Sequence, residues 1–124
     1  MALSEHAISA KTRNDVCYVE LALETLGGKW TLLLIHEMMG SPKRFGELRR
    51  AIPEASAKML TMRLRELELA GILEREAFAE VPPHVEYRLT TKGQALREAI
   101  ENLRQWGQTF CNLPHETPDI EHLR

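Results

Sequence analysis

Ser56-Ala-Lys-Met-Leu-Thr-Met-Arg-Leu-Arg-Glu-Leu-Glu-Leu-Ala-Gly71 carries the marks of one complete helix. A serine hydroxyl at the front can accept from a backbone N–H of the first turn, and a glycine at the back suits the left-handed residue that ends a helix. Leu60, Leu64 and Leu67 recur at four and three residues, so at about 100° per residue they share one stripe and face a core. Lys58, Thr61, Met62 and Arg65 fall on the opposite side, and no acidic residue occurs in the stretch before Glu66. A helix that turns such an end outward is suited to an anion.

The surrounding composition bounds that reading. A chain of 124 residues, 44% hydrophobic and 27% charged, has the length and make-up of one ordinary globular domain, near the size where a second subunit helps to cover apolar surface. No apolar run approaches the roughly 20 residues of a membrane span. The N-terminus lacks the pattern of a signal peptide, so a cytoplasmic location and no membrane partner are expected. The formal net charge of −2 hides an uneven distribution. Residues 42–65 hold seven basic and two acidic side chains, a local +5 that leaves −7 elsewhere. One cationic face on an acidic body fits contact with a polyanion, although a solvated helical surface has the same composition.

Outward from residues 56–71 the chain divides as follows. Residues 1–13 show no periodicity and read as a mobile arm, 14–111 as the folded domain and 112–124 as a loosely attached tail. Asn14 and Asp15 can cap a helix over 16–26, whose apolar stripe is Val19, Ala22, Leu23 and Leu26, and Gly27-Gly28 ends it. Residues 29–39 are apolar nearly all round, as befits a central helix. Residues 45–52 form a short helix with Phe45, Leu48 and Ile52 inward and Arg49 and Arg50 outward. A tight turn then leads into the helix at 56, which is the helix-turn-helix arrangement.

Beyond Gly71, residues 72–78 and 85–89 alternate as strands, with two prolines in the connecting loop, and such a hairpin is a wing. Thr90 caps a last helix from 91 to about 110, roughly 30 Å long, with Leu96, Ala99, Ile100, Leu103, Trp106 and Phe110 along one side. That rod exceeds what a small winged domain can cover, so a homodimer is expected, formed through Val19, Leu23, Leu96, Ile100, Leu103 and Trp106. The fold class is mainly α with a small β-hairpin wing: a winged helix-turn-helix, dimeric through its terminal helices.

Residues 17–107 resemble the HxlR-type, MarR-like winged helix-turn-helix regulators of bacteria. The likeness rests on Leu-Gly-Gly-Lys-Trp-Thr at 26–31, Arg-Phe-Gly-Glu-Leu-Arg-Arg at 44–50, Ser-x-Lys-x-Leu-Thr at 56–61, Arg-Leu-Arg-Glu-Leu at 63–67 and Val-Pro-Pro-x-Val-Glu-Tyr-x-Leu-Thr at 81–90. Five ordered motifs at matching separations are far more specific than a lone helix-turn-helix. The resemblance implies a homodimeric transcription factor joined through its first and last helices. Three positions depart from the family pattern: Tyr18 follows Cys17 where proline is frequent, Met62 replaces a polar residue, and His84 replaces a basic residue of the wing.

On double-stranded DNA, Lys58, Thr61, Met62 and Arg65 would face base edges, where arginine can pair with guanine and an apolar group can touch a thymine methyl. Lys43, Arg44, Arg49, Arg63 and the N–H groups at Ser56 would hold phosphates, which fixes register without reading sequence. Two of these have an alternative: Met62 as a partly buried filler, and Arg63 as an internal ion pair with a nearby glutamate. His84, with Arg88, would serve the wing. The operator is then an inverted repeat with half-sites about 34 to 36 Å apart.

Cys17, in the first turn of a helix, is the candidate sensor. A helix N-terminus favours a thiolate, which oxidants and electrophiles attack, while Asp15 opposes the effect. In relatives a cysteine at this position reacts in this way, so the resemblance brings a thiol-reactive effector into view. The alternative is a small buried residue without chemistry. Cys111 is either a resolving partner or a free thiol. Two further functions stay open: a regulator that binds a small aromatic effector near Trp30, Trp106 and Phe110 without thiol sensing, and an interaction adaptor that has lost DNA binding. His6, His36, His84, His115 and His122 have no metal-ligand spacing. No cofactor or metal is expected, and no nucleophile, base and orienting group assemble into an enzyme.

Overall fold

The computed structural model describes residues 17–111. The arm at 1–13, the caps Asn14 and Asp15 and the tail at 112–124 lie outside these residues. In chain order the elements are α1 (Tyr18–Leu26), α2 (Thr31–Glu37), β1 (Lys43–Arg44), α3 (Phe45–Ala51), α4 (Ala57–Leu69), β2 (Leu73–Phe78), β3 (His84–Leu89), α5 (Thr91–Gln94) and α6 (Arg97–Phe110). The architecture is a winged helix-turn-helix, helical with one small antiparallel sheet of order β1-β3-β2.

The core follows from the apolar stripes. Leu34, Ile35 and Met38 of the α2 region meet Leu48 of α3, Leu60, Leu64 and Leu67 of α4, and Ile72, Leu73 and Leu89 at the base of the wing. α2 sits centrally because its sequence is apolar nearly all round, and burial of each such side chain is worth about 1.5–3 kcal/mol. α1 contributes no buried residue, and α6 contributes only Ile100.

Four details differ from the sequence reading. Lys43 and Arg44 form a strand that pairs with Tyr87 and Glu86, so the sheet has three strands where a two-stranded hairpin was expected. α2 begins at Thr31, because Trp30 adopts a left-handed backbone with φ 76°. His84 is the first residue of β3, opposite Phe78, and does not lie in the loop.

The last helix is also broken. α5 ends at Gln94, and α6 restarts at Arg97 with 14 residues, or about 21 Å of rod where about 30 Å was expected. Ile100 is 7% exposed within the core, so its side chain is not available to a partner subunit as anticipated, while Leu96 is half-buried against that core. Arg97 donates to the Met39 carbonyl at 3.0 Å, which fixes α6 against the end of α2.

Candidate nucleic-acid interface

α4 is held at both ends by the devices its sequence announces. The Ser56 hydroxyl accepts from the Met59 N–H at 3.0 Å, and Gly71 takes φ +78°. The Thr90 hydroxyl then donates to the carbonyls of Gly71 and Ile72 at 2.6 and 3.1 Å, joining the end of α4 to the start of α5. Leu60, Leu64 and Leu67 are buried. The opposite stripe must therefore face outward, and Lys58, Thr61, Met62 and Arg65 are all exposed. Together with Phe45 and Ala57 they line one open depression of ≈ 600 Å³. The sequence reading missed Phe45 and Ala57, because an aromatic residue spaced with Leu48 and Ile52 has the periodicity of a core residue. In the fold Phe45 does both: it packs on the core and shows an edge to the depression.

The expected phosphate ligands separate into two groups. Arg44 and Arg49 are exposed, and Gly46, Arg49, Arg50 and Pro53 border a second open depression. Glu47 accepts from the Arg44 backbone N–H at 2.8 Å, which caps α3 and leaves the guanidinium outside the helix. Lys43 is half-buried, with its ammonium donating to the Ser41 hydroxyl at 3.1 Å.

Arg63 belongs to the fold's interior. Its side chain, 18% exposed, pairs with Glu66 at 3.0 Å and donates to the Lys29 carbonyl at 3.0 Å. Its position beside the apolar stripe turns it toward the turn that follows α1, so its expected role as a phosphate ligand gives way to the internal ion pair.

His84 is likewise occupied. Its ring stacks on Phe78 with centroids 4.7 Å apart. Its two nitrogens lie 3.6 Å from Glu80 and 3.2 Å from Glu86, so these contacts draw the ring into the hairpin. Arg88 is ion-paired with Glu76. The outermost loop residue is apolar: Val81 is 99% exposed.

The remaining expected sites fall on other surfaces. Cys17 is the half-buried N-cap of α1, and Cys111 follows α6, exposed; both are free thiols. On α1 Tyr18, Val19 and Leu23 are exposed, and on α6 so are Leu103, Trp106 and Phe110. Trp106 and Phe110 contact each other with centroids 5.5 Å apart. A small open cavity of ≈ 160 Å³ lies between α1 and α5, lined by Ala22, Thr25, Leu26, Ile72, Lys92 and Leu96; its walls do not include Trp30, Trp106 or Phe110. Among the described residues no three His, Cys, Asp or Glu side chains could hold a metal ion, and no helix is long and apolar enough to cross a membrane.

A capped helix that presents cations and a hydrogen-bonding threonine, preceded by a short helix and followed by a hairpin, defines a winged helix-turn-helix DNA-binding transcriptional regulator. The comparisons with known proteins agree. Residues 25–115 match the HxlR-like helix-turn-helix family, and the chain belongs to it. The HTH-type transcriptional regulator YybR of Bacillus subtilis is 44% identical over 93 residues, 75% of this chain and 74% of that protein. The oxidized form of the redox regulator HypR is 42% identical, with a TM-score of 0.75 over 78% of this chain and 100% of HypR's. YodB of Bacillus subtilis is 43% identical over 79% of this chain and 88% of its own length. Its quinone-bound structure superposes with a TM-score of 0.64 over 75% of this chain and 98% of that one.

Proposed function

We propose that the protein is a homodimer that binds an inverted-repeat operator through α4 and changes its DNA affinity when Cys17 is oxidised or modified by an electrophile. The outward stripe of α4 carries the first part of this reading. Lys58, Thr61, Met62 and Arg65 would sit in the major groove, while Arg44, Arg49 and the N–H groups at the start of α4 hold phosphates. The apolar residues exposed on α1 and α6 support association of two copies, since single subunits rarely leave such surface to water.

The redox part draws on relatives: HypR has oxidized and reduced forms, and YodB has diamide-treated and quinone-bound ones. Cys17 heads α1, and α1 leads into the turn that Arg63 ties to α4. A change at the thiol thus has a short covalent and hydrogen-bonded route to the DNA face. Mobility shift against the promoter of the adjacent gene, at several salt concentrations, tests the reading. Lys58→Ala and Arg65→Ala should weaken binding. Diamide should alter binding by the parent protein and leave Cys17→Ser unaffected. A diamide response equal in the two proteins would remove Cys17 as the sensor.

The cavity between α1 and α5 supports a second reading, in which a small aromatic effector binds without thiol chemistry. A site of ≈ 160 Å³ is near the size that accepts a single benzene ring. A quinone that releases DNA from Cys17→Ser as readily as from the parent would favour it.

A further inference from the structure

The depression on the outward side of α4 has a chemistry that cation count alone does not explain. Its lining is Phe45, Ala57, Lys58, Thr61, Met62 and Arg65: three apolar residues, two cations and a hydroxyl, and no carboxylate. Met62 in that lining is 41% exposed, and its flexible thioether can close around a small apolar group. In the major groove the base edges present donors and acceptors with one exception, the C5-methyl of thymine. We propose that Phe45, Ala57 and Met62 form a cup for a thymine methyl, which fixes one thymine in each operator half-site within reach of the bases that Lys58 and Arg65 contact. The proposal rests on the reading that α4 enters the major groove, and it adds a specificity that cations cannot supply.

The duplex recovered from a random pool by the full-length protein is the probe. Each thymine is replaced singly by deoxyuridine, which lacks only the C5-methyl. Burial of one methyl corresponds to about four-fold in affinity, so one position per half-site should weaken binding about four-fold, and about fifteen-fold when both half-sites are changed. Met62→Ala, with a circular dichroism spectrum like the parent's, should bind the thymine and deoxyuridine duplexes equally at that position.

A recovered consensus whose affinity changes less than two-fold with deoxyuridine at every position would overturn the cup and leave α4 as the reading helix. A methyl effect that persists undiminished in Met62→Ala would assign it to the duplex's own shape and also overturn the proposal. A pool that yields no consensus would overturn both the cup and major-groove reading by α4.

Discussion

The guanidinium of Arg63 reaches from α4 to the backbone carbonyl of Lys29, 3.0 Å away across 34 residues of sequence. Gly28 makes room for it: a Cβ there would lie 2.9 Å from Arg63 Cζ. The turn after α1 and α4 are therefore one mechanical unit, joined by a charged donor in a mostly buried setting.

Arg63→Ala should lower stability by about 1–3 kcal/mol, the range for a lost charge-assisted hydrogen bond, read as a reduced urea midpoint. Its salt slope of DNA binding should stay that of the parent, because the guanidinium is already engaged by Glu66 and the Lys29 carbonyl. Arg65→Ala should do the reverse, keeping the midpoint and lowering the slope by about one per subunit if it contacts a phosphate, or relaxing preference at one base pair if it contacts a base. Gly28→Ala should resemble Arg63→Ala, since the guanidinium must leave the carbonyl to admit the methyl.

Gly93 is the tightest backbone approach in the wing-to-helix corner. A Cβ on it would stand 2.3 Å from the Ile72 carbonyl oxygen, the same oxygen that accepts from the Thr90 N–H and hydroxyl. Backbone on one side and a hydrogen-bonded carbonyl on the other leave little room to yield. Gly93→Ala should cost about 3 kcal/mol in thermal or urea unfolding. Gly46→Ala, whose nearest neighbour is the end of the Arg50 side chain at 3.6 Å, should be neutral or stabilising by up to about 1 kcal/mol.

These two residues also mark where sequence periodicity reaches its limit. Leu60, Leu64 and Leu67 announced α4 because a stripe is a local property, and Ser56 and Gly71 announced its ends for the same reason. Just before the break at Leu96, Gly93 lies against Ile72, a close approach across 21 positions that no helical spacing records. β1 escaped notice because two residues have no period, and their partners Tyr87 and Glu86 lie more than 40 positions away. On α4, Lys58, Thr61, Met62 and Arg65 were legible as the exposed side opposite the leucines. Arg63 was legible only as one of two readings, because a cation at the margin of a stripe turns inward or outward according to what the neighbouring turn offers, and here that turn offers a carbonyl and a carboxylate follows at Glu66.

Glu101 and Arg104 on α6 give the molecule a pH-dependent element. The Arg104 guanidinium donates to both Glu101 oxygens at 2.7 to 3.2 Å, and with the Gln105 amide it holds the Glu101 carboxyl below its ordinary value of 4.5. A lowered folded-state value means the pair supports the helix above the unfolded carboxylate range and is lost as pH falls through the folded one. Thermal midpoints of the parent should drop relative to Glu101→Gln below about pH 4.5 and differ by a constant amount above it. Both side chains are solvent-exposed, so the difference should shrink in high salt.

Leu103 and Trp106 are 54% and 59% exposed on α6, and Val19 and Leu23 of α1 are 67% and 53% exposed on a helix with no buried residue. Water on these faces is costly to a subunit alone, and a second copy would cover both terminal helices at once. Leu103 is more than half exposed in the isolated subunit, where a long side chain can reach water, so Leu103→Lys should change the fold's own stability by less than about 0.5 kcal/mol. In a dimer the same ammonium would be buried without a partner, at a cost of several kcal/mol. Light scattering should therefore find the parent at twice the chain mass and Leu103→Lys at the chain mass, with matching circular dichroism spectra. The variant should also lose most of its operator affinity, because each half-site would be held by an independent subunit. If Leu103→Lys keeps the doubled mass, α6 is not the seam between subunits.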